Sequence, residues 1–181
     1  MFGTASLSTK LIRIGASLLV VALASISLTL WVTWQLEGGA AAVNEAGRMR
    51  MQTWRLASAV QTGLDPVELG SLVNQFDESL RLLRAGDPMR PLFVPWDETV
   101  DLRFELVDRI WAERRSQWLA VPPMGAAESA RAAEEFVKAI DGLVLAIEHQ
   151  LSRLTAILNL FQFVMMALAI IGAVVMLFTG Y

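Results

Sequence analysis

The sequence predicts an all-α membrane protein in which two transmembrane helices bracket an up-down-up-down four-helix bundle. The first observation is charge segregation: no charged residue occurs from Ile14 to Trp34 or from Thr155 to Tyr181. Each of these runs is long enough to cross ~30 Å of hydrocarbon at ~1.5 Å per residue. The second is that all eighteen carboxylates lie between the runs, from Glu37 to Glu148. The third is periodicity: between the runs, apolar residues recur every three or four positions in segments punctuated by glycine and proline, and no segment alternates as a strand would. With 55% hydrophobic and 18% charged residues, a single soluble domain would need an unusually large core.

Residues 1–13 form a short basic N-terminus. Lys10 and Arg13 have no acid near them, which by the positive-inside rule puts this end in the cytoplasm. Residues 14–36 read as the first span. A cleaved signal peptide would have a shorter apolar core and a small-x-small site, whereas this run continues to Trp31 and Trp34, residue types that favour the membrane interface. Two crossings return the C-terminus to the cytoplasm, so residues 37–154 are expected in the periplasm of a cell with an inner membrane. That segment holds thirteen basic against eighteen acidic residues, a net charge of about −5.

The first bundle helix continues out of the membrane past Gly38-Gly39 and ends at Gly63. Asp65-Pro66-Val67-Glu68 opens the second, with Asp65 as N-cap, Pro66 at the first helical position and Glu68 completing a capping-box pattern. Leu69, Leu72, Val73, Phe76, Leu80 and Leu83 form its stripe to about Ala85. A stiff loop with Pro88, Pro91 and Pro95 follows, and the third helix starts near Trp96-Asp97 and runs to about Leu119. Val100, Phe104, Val107 and Trp111 are its apolar face. After Pro122-Pro123 and Gly125, the fourth helix starts near Ala127 and carries Phe136, Ile140, Leu143, Ile147 and Leu151 into the second span, residues 155–181.

Nothing in the chain reads as catalytic. It has no cysteine and one histidine, which removes disulfides, thiolate sites and multi-histidine metal centres. His149, in Glu148-His149-Gln150, reads as a solvated helix residue. There is no glycine-rich phosphate loop, no Ser-His-Asp set and no zinc spacing. No enzyme activity, no cofactor, no metal and no nucleic-acid partner is expected.

The most informative stretch is Ala40 to Leu56, AAAVNEAGRMRMQTWRL. On a helix, Val43, Gly47, Arg50 and Trp54 share one face, with Arg48 roughly opposite Arg50 and Arg55 to the side. Glycine admits the close approach of another backbone, and an arginine beside it offers a planar fork of donors to a small planar anion. If that face met its copy in a homodimer, two Arg50 side chains would converge. The competing reading is that Arg50 pairs with a carboxylate on a neighbouring helix.

The run Ala42-Val43-Asn44-Glu45-Ala46-Gly47-Arg48-Met49-Arg50-Met51-Gln52-Thr53-Trp54-Arg55-Leu56 closely resembles the P-box of nitrate/nitrite sensor histidine kinases of the NarX and NarQ type, above all in A-G-x-x-R-M-Q and the trailing R-L. The span–bundle–span plan resembles theirs too. The resemblance implies a homodimer that holds nitrate or nitrite between its two first helices, with Arg50 as the clamp, Gly47 lining the site, and Val43 and Met51 as apolar walls. This chain has Glu45 where some members have lysine, Met49 for leucine and Trp54 for tyrosine. Glu45 is five positions from Arg50 and need not face the anion. The resemblance also implies that ligand binding shifts the first bundle helix against the fourth, displacing the spans. In that family a cytoplasmic kinase follows the second span and addresses a response regulator. This chain stops at Thr179-Gly180-Tyr181, so it is expected to be the input part alone. The same sensor domain occurs in type IV pili methyl-accepting chemotaxis transducers, and a membrane-anchored scaffold for a protein partner is the remaining alternative.

Overall fold

A computed structural model of the chain describes residues 7–87 and 89–179. It is helical throughout, with α1 at Leu7–Thr62, α2 at Pro66–Ala85, α3 at Glu98–Trp118 and α4 at Ala126–Thr179. Two compact units divide it: Trp34–Ser152, and a terminal unit made of Met1–Thr33 with Arg153–Tyr181.

Local chemistry sets the boundaries. The Asp65 carboxylate accepts from the Val67 amide at 3.0 Å, and Pro66 follows at the first helical position. This satisfies an amide that the helix itself leaves unpaired. Asp97 does the same for α3, accepting from the Val100 amide at 2.8 Å. Gly63 and Gly86 end α1 and α2 with φ of +67° and +75°, a region where a Cβ would be strained.

In the bundle unit, side-chain contacts fix an antiparallel ring of four helices. Going up α1, Gly39 meets Leu151, Arg50 meets Asp141 and Gln61 meets Ser129, so α1 and α4 run in opposite directions. Gln52 reaches Gln75 and Ser79 on α2. Asp77 on α2 meets Trp111 and Arg115 on α3, and Arg114 on α3 meets Glu135 on α4. The core is the set of stripes expected for α2, α3 and α4, centred on Phe76, Trp111 and Phe136, whose rings lie 4.1–5.9 Å apart.

The core face of α1 is different in kind. Small and polar residues make up most of it: Ala42, Ala46, Gln52, Thr53 and Ala57 are buried, with Met49 and Leu56 the two bulky members. The Thr53 hydroxyl donates to the Met49 carbonyl at 2.9 Å, and Gln52 is held by Gln75 and Ser79, so these polar groups are satisfied.

In the terminal unit, the described residues of both apolar runs form continuous helix, and the most apolar window of each has almost no buried residue. Leu19, Leu23, Leu30, Ile157, Leu160, Phe163 and Leu168 are all more than half or about half exposed. A core helix of a soluble protein buries such residues, whereas lipid would cover them.

Candidate functional site

The outward face of α1 carries the residues singled out above. Its buried arc leaves Ala40, Met51, Trp54 and Ser58 exposed in a stripe, with Gly47 half-buried among them. Met51 and Trp54 are 52% and 47% exposed, two large apolar side chains close together on one face of α1. Val43 is partly buried and packs against the core. Gly47 sits beside Arg50: a Cβ there would lie 3.4 Å from the Arg50 Nη2.

Arg50 leans to the α4 side of the stripe. Its Nη1 donates to Asp141 Oδ1 at 2.9 Å, and both side chains are close to half exposed. The pairing of Arg50 with a neighbouring carboxylate, one of the two readings of this residue, therefore exists within the single chain. Among the described residues this is the one ion pair of Arg50, and it leaves Nε and Nη2 for another acceptor. Met51 lies across the stripe, in a groove of about 480 Å³ between α1 and α2 that also takes Arg48 and Arg55. Of the four candidate residues, the structure sets Gly47 beside Arg50, puts Val43 deeper on the same side and turns Met51 toward α2.

Glu45 faces away from this stripe. Its side chain is 3% exposed, and its carboxylate meets Arg48 Nη2 at 2.6 Å and Arg90 Nη2 at 3.4 Å. Both oxygens of this buried carboxylate are thus paired with arginines, on the far side of the helix from Arg50. Its i, i+3 spacing to Arg48 was readable in the sequence; Arg90, forty-five positions on, was not.

Among the pairs with displaced pKa values, Asp77 and Arg115 join two different helices. Burial raises the Asp77 pKa, but hydrogen bonds from Arg115 and Trp111 and the Arg115 charge outweigh it and bring it below the usual carboxylate value. The pair braces α2 to α3 and lies on those helices, away from the α1 stripe.

The N-terminal domain of the type IV pili methyl-accepting chemotaxis transducer (PilJ) matches residues 31–140. The chain belongs to this family. The transducer domain covers the first bundle helix from Trp31, all of α2 and α3, and α4 as far as Ile140, so it includes the whole Val43–Trp54 stripe. No curated protein matches the chain. As a transducer N-terminal domain with two helices long and apolar enough to span a bilayer, the chain has the makeup of a membrane protein's signal-input region.

Proposed function

We propose that the chain is the input region of a transmembrane receptor that binds a small planar anion, nitrate or nitrite, between the α1 helices of a homodimer in the inner membrane, with the bundle in the periplasm. The observation that carries this reading is the outward stripe of α1: a half-exposed Arg50 with donors to spare, beside a glycine and flanked by exposed Met51 and Trp54. Exposed aromatic and methionine side chains next to an arginine have the composition of an interface centre.

Two Arg50 guanidiniums brought to ~6 Å at an effective dielectric of ~20 repel by about 3 kcal/mol. Charge-assisted hydrogen bonds to a shared anion, each worth roughly 1.5–3 kcal/mol, offset that repulsion. The anion thus favours the state in which the two helices approach, and this difference in affinity drives the switch. Asp141 takes part as the intramolecular rival of the anion. When the ligand draws Arg50 away, the α1–α4 tie at this level loosens, and each of these helices runs on into one of the apolar runs.

The match to a chemotaxis transducer favours a methyl-accepting receptor as the larger protein's output, and the P-box resemblance favours a kinase. The input chemistry is common to both. Nitrate titration calorimetry of the full chain in nanodiscs tests it. Arg50→Ala is expected to abolish binding, and Arg50→Lys to weaken it through loss of the planar fork. Arg55→Ala, on the α2 side, should bind as the parent does. Asp141→Asn should tighten binding by up to about five-fold, the worth of an exposed ion pair. Unchanged binding by Arg50→Ala would refute the site.

A further inference from the structure

The loop between α2 and α3 is the least regular part of the bundle unit, yet it is held firmly against α1. The Phe93 ring packs on Trp34 with centroids 4.1 Å apart. The Phe93 amide donates to the Gly38 carbonyl at 3.4 Å, and a Cβ at Gly38 would collide with the ring. Arg90 ties the loop to α1 a second time through Glu45, and its Nε is taken by Asp87 at 3.1 Å. Leu92 and Val94 are buried beneath. The loop turns Met89 outward, 93% exposed, together with Pro91 and the half-exposed Arg90, while Trp96, 40% exposed, packs its ring on Phe104 of α3. Trp34, Met89, Pro91 and Phe93 line one open groove of about 570 Å³.

The height of this loop follows from α1. The helix is continuous from Leu7 to Thr62, and its charge-free run closes at Trp34. Twenty-one residues at ~1.5 Å each rise about 31 Å, the thickness of the hydrocarbon layer, so Trp34 falls at the boundary. Indole rings favour that depth. Because Phe93 packs against Trp34, the loop is fixed at the same depth.

We propose that the α2–α3 loop is a membrane-interface anchor, with Met89 inserted at the headgroup level beside Trp34. The attraction is apolar rather than electrostatic. The one arginine of the loop is already held by Asp87 and Glu45, so the anchor needs no anionic lipid. Exposure alone does not mark the loop, since Val121 between α3 and α4 is 90% exposed. Val121 lies at the opposite end of the bundle and provides the control.

The inference rests on the reading of the charge-free runs as membrane spans, and the experiment separates the two. The chain has no cysteine, so single cysteines at Met89, Val121 and Leu23 can each carry an environment-sensitive fluorophore in the full chain, in nanodiscs of phosphatidylcholine alone. Spin-labelled lipid with its label near the headgroup should quench the Met89 probe several-fold more than the Val121 probe, and high salt should not change this. Lipid labelled at mid-chain should quench the Leu23 probe. A Met89 probe quenched no more than Val121, with Leu23 quenched, overturns the anchor and leaves the span intact. An unquenched Leu23 probe overturns the span and the anchor with it.

Discussion

Glu45, Arg48 and Arg50 lie within two turns of α1, and each meets a different electrostatic setting. The helix wheel was enough to separate Glu45 from Arg50, because that separation is a property of one helix. Burial of Glu45 and the partners Arg90 and Asp141 belong to other elements, and nothing local in the sequence signals them. Asp77 shows the same dependence on remote partners, and it carries a pH signature. Its pKa is lowered in the fold, so its contribution is present above the ordinary carboxylate range and is lost as pH falls through its own lowered value. Asp77→Asn should therefore cost on the order of 1 kcal/mol near neutral pH, held down by solvent access to the pair. Thermal melts of parent and variant should converge in strong acid; a constant difference at every pH would show that the carboxylate charge is not what Arg115 and Trp111 stabilise.

Helix ends were legible because their causes are local: Asp65-Pro66, Asp97, Gly63 and Gly86 act on amides within one turn. The stripes of α2, α3 and α4 were legible because bulky apolar residues mark them. The buried face of α1 was not, since alanines, Gln52 and Thr53 do not announce a core. Nor did the sequence disclose why Gly38 and Gly39 stand inside a helix, where each costs ~1 kcal/mol relative to alanine. Phe93 and Leu151 come within a distance that a Cβ would block. This gives opposite expectations for one chemical change. Gly38→Ala should destabilise the bundle by about 1–2 kcal/mol, because the Phe93 ring is held by Trp34 and must shift. Gly70→Ala, in α2 with open space around it, should stabilise by about 0.5–1 kcal/mol. Denaturation of the two variants side by side checks this, and equal effects would contradict the close packing at Gly38.

For the whole molecule, the partition of charge along the chain foretold the all-helical plan, since apolar ends and an acidic, periodic middle admit few arrangements. The single chain leaves the outward stripe of α1 unpartnered and Arg50 tied to Asp141, and the account assigns both to a second copy and a shared anion. Its central claim is that two chains build one site. The stoichiometry of nitrate bound to the full chain in nanodiscs tests this most directly. The account predicts one nitrate for every two chains, with none bound by Arg50→Ala. One nitrate per chain, or the same stoichiometry in Arg50→Ala, would contradict it.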